Sequence, residues 1–479
     1  MTPSLPSRLC FVMRTVLLAL VILTAAATAQ QPITADVIVV GAGMSGISAA
    51  RRLVAQGVQR VVVLEGQSRL GGRLHTVRLQ NGLAMDLGGA WLHGVTGNPL
   101  SVLASTFNLT TFPSREGSTW FGPDGDALSD ALDATYSDLY EDFEDWLAAQ
   151  QRGGRLNPNT NLQTVFNMFL NQADPPLTPA QAAGVRAQAN ANIEQEYAAS
   201  LRELSARFFN QDEAFRGGDV LWSRGYEALM TPLAAGLDIV YGQNVTLVDA
   251  SSRQVVVRSA SGAAWQAPFV ICTFPLGVLK QSWRTLFRPA LPARKVTAIQ
   301  TLGMGLLNKV VLRFPTAFWN QDAPTDWMDW VPQTPGATFE FYSLFRGSGA
   351  PVLIAFSAGD YARYQEARSN SSILADVMAL LRSSFDAVPE PLEVIITRWS
   401  QHPWSWGSYP FVKAGAAGSA YDTLAGPTDS TNRVFFAGDA TLSTYPGTAH
   451  GAHLSGIREA NRVLALRRGA GRRRRLTQA

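Results

Sequence analysis

Val37-Ile38-Val39-Val40 is an unbroken apolar run of strand length that passes directly into Gly41-Ala42-Gly43-Met44-Ser45-Gly46 and a stretch of helical character ending near Gln56. A second apolar run, Val61-Val62-Val63-Leu64, ends in Glu65. This order predicts a β-α-β unit with a dinucleotide-binding turn. Gly41 permits the tight turn, Gly43 lets a pyrophosphate approach the backbone, and Gly46 lets helix and strand pack closely. The helix N-terminus, with Ser45 in its first turn, presents amide donors to phosphate. Glu65 stands 19 residues past Gly46, where such units carry the acid that binds a ribose.

Apolar neighbours flank Lys309 in an alternating strand pattern over residues 304–314, and residues 269–273 form another strand-like run in which Cys272 is expected as a buried core thiol. Residues 126–150 and 178–208 have helical spacing and few breakers. The first is acidic, with Asp130, Asp133, Asp138, Glu141, Asp142, Glu144 and Asp145; such a face either steers polycations or is simply solvated. Towards the C-terminus a strand ends at Gly438-Asp439 and a helix starts near Thr448, which brings a second helix N-terminus, with its partial positive charge, towards a ligand. No internal repeat or long linker interrupts the pattern.

The chain has 479 residues, 46% hydrophobic and 16% charged, which fits a large globular enzyme and excludes a small binding module or a disordered regulator. Its two cysteines, Cys10 and Cys272, exclude a disulfide scaffold and a cysteine-built metal centre. His450 and His453 lie three apart on a helix without a third ligand, so no metal is expected. At the N-terminus Arg8 and Arg14, an apolar run at 16–27 and Ala27-Thr28-Ala29 read as a cleaved secretory signal over residues 1–29. The run falls short of the roughly 20 residues that cross a bilayer. Sequons at Asn108, Asn244 and Asn370 fit that route. Eight of the 40 Lys and Arg residues lie in this segment and in a basic tail, 467–479, so the body carries 32 cationic against 37 anionic side chains, a net −5. The tail is read as a flexible end or as a binder of acidic polymers or lipid headgroups; nothing points to nucleic acid.

Arg69-Leu70-Gly71-Gly72-Arg73, the segment Met85-Asp86-Leu87-Gly88-Gly89-Ala90-Trp91-Leu92-His93-Gly94, and the C-terminal Arg433–Ala440 and Tyr445–Ala452 together resemble the flavin amine oxidase family, its polyamine oxidases in particular. The resemblance implies FAD, with Gly72 and Arg73 along its pyrophosphate, Gly89, Ala90 and Trp91 beside the isoalloxazine, and Val245 at the adenine end. It likewise places Gly438 and Asp439 at the linking chain, and Thr448 and Ala449 at the N-terminus of a helix facing the pyrimidine end. Asp439 stands where relatives more often carry Glu. No cysteine lies between Asp439 and His450, so the cofactor is expected to be non-covalent.

Four lysines stand against 36 arginines, and Lys309 falls where the family's flavin-proximal lysine lies. An ammonium that sheds its proton when desolvated suits that place in a way guanidinium does not. The segment from Trp399 to Tyr409 matches the family's aromatic wall, giving Trp399 to the cofactor and Tyr409 to the amine cage, with Trp91 and Thr448 as its other sides. Thr448 replaces a second aromatic, so the cage is expected to be half open. His93 stands where secreted plant polyamine oxidases resemble one another in carrying Glu; it either orients or deprotonates a substrate nitrogen or hydrogen-bonds within the fold.

The expected architecture is α/β, a Rossmann-like FAD domain (34–90, 217–282 and 395–466) interleaved with a mixed sheet-and-helix substrate domain (91–216 and 283–394). The resemblance implies a secreted, FAD-dependent polyamine oxidase, a monomer or weak dimer without an integral membrane segment once the signal is removed. It would use O2 to release an aminoaldehyde, an amine and H2O2. A secreted L-amino-acid oxidase and a non-catalytic flavin-binding protein are the alternatives. The destination beyond secretory entry, whether cell wall, vacuole or medium, stays open.

Overall fold

A computed structural model describes residues 31–334, 336–428 and 432–476, so the expected signal at 1–29 lies outside the described residues. In chain order, the elements that frame the site begin with β1 (Val37–Val40), α1 (Met44–Ala55), β2 (Val61–Leu64), β3 (Trp91–Leu92), β4 (Thr111–Pro113) and β5 (Ser118–Phe121). Two helices, α2 (Asp130–Arg152) and α3 (Pro179–Ala189), precede β6 (Val220–Trp222), β7 (Asp238–Val240) and β8 (Phe269–Cys272). There follow β9 (Leu307–Arg313), β10 (Trp327–Trp330), β11 (Glu340–Ser343), β12 (Val352–Ala358), β13 (Glu393–Ile396), β14 (Val434–Phe436) and the terminal α4 (Ala449–Leu476).

A five-stranded parallel sheet, in the order β7-β2-β1-β8-β14, forms the cofactor half. Its central strands are continuous apolar runs because both faces are covered. The period-two alternation of side chains divides each strand between two cores. Val37, Val39, Val61, Val63 and Ile271 pack with Ile47 and Leu53 of α1 and Val463 of α4. Ile38, Val40, Val62, Leu64 and Cys272 pack instead with Val248, Val255, Val257 and Trp265 of an antiparallel sheet on the other face. Cys272 is fully buried there, and burial pushes its thiol well up, as befits an inert core residue.

The second half is a six-stranded sheet, β13-β9-β12-β11-β10-β5, antiparallel except where β10 meets β5. Val310, Leu312, Phe341 and Leu353 face a core closed by Ile373, Val377 and Leu381. The alternate residues Val311, Tyr342, Ile354 and Phe356 face Leu87 and Ala90 of the cofactor half. Lys309 shares that second face with Val311, so the alternation along β9 delivers an ammonium to the junction of the two halves.

Two expectations need correction. Helical spacing at 178–208 is realised only by α3, which passes into a π-helical turn, Asn190–Gln195, and stops before Ala198, whose φ is +52°. The chain turns there because Ala198 O accepts the amide of Leu306 (2.7 Å), tying the segment to the strand that carries Lys309. At the other end, helix α4 continues through Leu476, over much of the stretch expected as a flexible tail from 467. Arginine is a good helix former, and the helix has no proline to stop it. Among the described residues no helix is long and apolar enough to cross a membrane.

Candidate active site

One continuous cavity of about 1440 Å³ runs between the two halves, larger than the roughly 300–1,000 Å³ of a usual single-ligand site. Its walls include Gly41, Gly43, Ser45, Glu65, Gly72, Arg73, Val245, Gly438, Asp439 and Ala449 at one end and Trp91, His93, Lys309, Tyr409 and Thr448 at the other.

The dinucleotide end is a built cradle. Gly41 has a φ of +102°, which glycine adopts without strain, and a Cβ on Gly46 would stand well inside contact distance of the Gly41 carbonyl oxygen. A Cβ on Gly43 would meet nothing nearer than 3.8 Å, leaving room for a phosphate against the backbone. Gly43 also caps α1 without any side-chain bond, so the first amides of that helix are free to bind an anion. Glu65 is buried, and its oxygens accept the amides of Ala42 (2.7 Å) and Gln67 (2.8 Å). Carboxylate lone pairs remain for a ribose hydroxyl. Gly438 N donates to Ser455 Oγ at 2.9 Å, and Ser455 Oγ meets Ser45 Oγ at 3.2 Å, so α4 is hydrogen-bonded across to α1 at the phosphate end. These residues fit FAD.

Arg73 and Asp439 meet one another: the guanidinium donates to both carboxylate oxygens (2.7 and 2.6 Å) and to Ser408 O (2.8 Å). They line the cavity as a pair. Thr448 carries less than expected, since its hydroxyl donates to Tyr445 O and accepts the Gly451 amide, both at 2.9 Å. It caps α4 and has no proton left for a substrate.

At the other end Lys309 is buried, and Nζ donates to Asp86 O (2.9 Å) and Gly88 O (2.7 Å). Burial lowers its ammonium to about 8, against the attraction of Asp86. Asp86 is itself pushed up to about 6 by burial, although it accepts Thr76 Oγ1 (2.5 Å) and the Tyr226 amide (3.1 Å). The Lys309 ammonium lies 5.5 Å from the centre of the Trp91 ring, which stacks on Trp327 at 5.5 Å. Trp399 backs the loop by donating from Nε1 to Leu87 O (3.2 Å), and Gly89 and Ala90 follow it into the cavity wall. Tyr409 donates its hydroxyl to Gln195 O (3.0 Å), and its ring lies against the Gly447–Thr448 turn.

His93 Nδ1 lies 2.6 Å from Asp219 Oδ2, while Asp219 Oδ1 accepts the Gly94 amide at 2.8 Å. The imidazole is 49% accessible although protein encloses it, because its free side faces the cavity. Burial opposes its charged form, but the bond to Asp219 and the charges of Glu196 and Asp219 outweigh it, so the pKa is raised. Asp219→Asn is expected to leave burial dominant and move the proton uptake of His93 to lower pH. Titration of the imidazole by NMR checks this; an unmoved midpoint would remove Asp219 from the role.

Sequence reasoning missed Asp219, Trp327 and the acids of β10 and β11, and gave Asp86 no role of its own. Asp86 was legible as part of a motif, but Asp219 lies 126 residues from its histidine and has no local signature. His450 is buried in a T-shaped contact with Phe215 (5.2 Å), and His453 Nδ1 meets Ser48 Oγ (2.8 Å), so both are packing residues. Among the described residues no cluster of His, Cys, Asp and Glu could hold a metal.

A profile of flavin-containing amine oxidoreductases matches residues 44–464. The chain is 36% identical over 438 residues to lysine-specific histone demethylase 1 homolog 3 of Oryza sativa subsp. indica, covering 89% of this chain and 54% of the relative. It is 30% identical over 446 residues to human lysine-specific histone demethylase 2, covering 90% and 53%. The chain thus spans about half the length of these curated relatives. Its fold is similar to that of putrescine oxidase solved with putrescine, with a TM-score of 0.74, 21% identity, and coverage of 91% of this chain and 100% of that one. The glycine cradle, the buried lysine and the match along nearly the whole length carry one conclusion: the chain belongs to the family of flavin-containing amine oxidoreductases, with FAD as cofactor.

Proposed function

We propose that this protein is an exported polyamine oxidase that takes amines of the spermine and spermidine type. With O2 and water it yields an aminoaldehyde, an amine and H2O2. The charge of the chamber carries this reading. Glu116, Asp133, Glu196, Asp212, Asp219 and Glu340 line it, whereas its basic lining residues among the described ones, histidines apart, are Lys309 and Arg73, the latter paired with Asp439. Such walls suit a ligand with several ammonium groups and lack the free arginine that an amino-acid carboxylate would want.

FAD, when bound, supplies the two-electron acceptor, and the chain supplies the rest. Trp91 and Tyr409 offer aromatic surface to the amine. His93, held by Asp219, is placed to take the proton of the reacting ammonium, and a base with a pKa near the working pH does this best. Lys309 holds its proton beside Gly88 and Trp91, where the acceptor's reactive edge would lie. Export of the chain through its N-terminal segment is part of the proposal.

A second reading is favoured by the relatives: an N-methylated lysine of a peptide would present the same aliphatic amine to the same chamber. Supplying spermine, spermidine and a dimethyl-lysine peptide separately, with peroxide assay and mass spectrometry, decides between them. Peroxide with an aminoaldehyde from spermine is expected. Formaldehyde from the peptide and no turnover of spermine would transfer the assignment, and peroxide from neither by a yellow protein would make it a non-catalytic flavoprotein.

A further inference from the structure

We propose that Glu340 and Asp329 form a subsite for the distal ammonium of a triamine or tetramine, so that the β-sheet itself measures substrate length. The inference rests on the polyamine reading and names which polyamines fit. One rung of the six-stranded sheet crosses four strands in the order Lys309, Phe356, Glu340, Asp329. Lys309 pairs with Phe356, and Phe356 with Glu340. Asp329 and Glu340 continue the register set by Trp327 with Tyr342 and Met328 with Phe341. Residues directly opposite in a ladder project from the same face, here the face that Lys309 turns to the cavity. Lys309, Phe356 and Glu340 all line it.

Strands are spaced about 4.8 Å apart, so Glu340 stands about 10 Å from Lys309 and Asp329 about 14 Å. An extended chain advances roughly 3.5 Å for every three bonds, which makes this the reach of about eight to twelve bonds. A short diamine falls short of it, and the terminal amines of spermidine or spermine do not. Between the charged ends the wall is apolar: the Phe356 ring centre lies 5.6 Å from the Lys309 ammonium and 5.8 Å from the Trp91 ring, and Trp327 adjoins both rings. The pattern is cation, apolar, acid, with Glu340 in the cavity wall where a second ammonium would arrive and Asp329 beside it in the register, behind the lining.

The two acids lack a cation of their own. Among the described residues no ion pair reaches Glu340 or Asp329. Asp329 is only 3% exposed, and its Oδ2 has no hydrogen-bond partner. Gln195, buried in the same cavity wall, also keeps an unpartnered Oε1; the π-helical turn that carries it adjoins Glu196, whose charge reaches Glu340. An unsatisfied buried acceptor calls for a partner, and π-turns are frequent at functional sites. Burial pushes Asp329 to about 7, Ser118 holding it down, and pushes Glu340 well up, with Asp329 and Glu196 adding to the rise. An arriving ammonium supplies the counter-charge that Glu340 lacks and that the buried Asp329 beside it reinforces.

The test compares kcat/KM for a monoamine, 1,4-diaminobutane, spermidine and spermine in wild type, Glu340→Gln and Asp329→Asn, with spermine binding read from the visible spectrum of the bound flavin. In wild type kcat/KM is expected to rise steeply between the diamine and the triamine. In Glu340→Gln the advantage of spermine over the monoamine is expected to fall by about tenfold or more. Asp329→Asn should act in the same direction, and it decides the matter if Glu340→Gln fails to hold flavin. An unchanged ratio in both variants, or no dependence on length in wild type, overturns the proposal. If wild type stays yellow but oxidises no polyamine, the functional reading falls. The subsite is then judged by binding alone: weaker spermine binding in the variants upholds it, and equal binding ends it.

Discussion

Lys309→Met is expected to slow flavin reduction or reoxidation by about two orders of magnitude, the scale of a lost proton-handling group, while the protein stays yellow. The side chain reaches the junction of the two halves from β9, and its ammonium is fixed by the carbonyls of Asp86 and Gly88. Both bonds point back into the loop that leads to Trp91, and since an ammonium has three protons, one remains for the cavity that Lys309 lines. Methionine fills similar volume but carries neither charge nor donor. It strands two carbonyls, at a cost of about 1–3 kcal/mol each, which the large cores absorb. The sign of the pH effect follows from the burial that brings Lys309 to about 8. Below that pH the ammonium is present, above it the amine, so wild type is expected to show a rate limb near 8 that the variant lacks. Stopped-flow measurement of both half-reactions is the check. Rates equal to wild type would exclude the role.

Gly46→Ala should have the other large effect: loss of flavin. The added methyl group would collide with the Gly41 carbonyl oxygen, which is backbone of the turn after β1, and come within 3.3 Å of Cγ1 of the buried Val39 side chain in β1. Helix α1 then has to move away from the sheet, carrying its free amides from the place where a pyrophosphate would sit. Overpacking of this kind costs about 1–3 kcal/mol in stability, and here it also breaks the anion site. The visible flavin band of purified protein reads the result. Gly43→Ala is the contrast, since its methyl has open space in the fold and only the approach of the phosphates suffers. That variant is expected to fold as wild type does and bind FAD weakly. If Gly46→Ala retained full flavin, the close approach of helix and strand would not be what holds the cradle.

The cradle was legible because its parts are contiguous: strand, glycines, helix and acid lie within residues 37–65, and each glycine answers a local backbone demand. The direction of Lys309 was legible for a similar reason, alternation along one strand. Contacts made by tertiary pairing were not. Asp219 reaches His93 only because β6 pairs with β3 and β4. Asp329 and Glu340 face each other only through the register of β10 and β11. Helical periodicity at 178–208 misled because spacing persists where the backbone does not: the π-turn and the left-handed Ala198 are imposed by packing onto Leu306. Thr448, expected at the substrate, spends its hydroxyl as a cap, a use that a loop-to-helix threonine always offers.

The order of assembly has a consequence for biosynthesis. Strand β14 and helix α4 belong to the last tenth of the chain, yet they complete the parallel sheet beside β8 and lie along α1. While the polypeptide is still emerging from the ribosome, the fingerprint at residues 41–46 is already made but has no closed groove around it. Flavin capture must therefore await β14 and α4, and until then the apolar flank of α1 lacks the cover that α4 gives it.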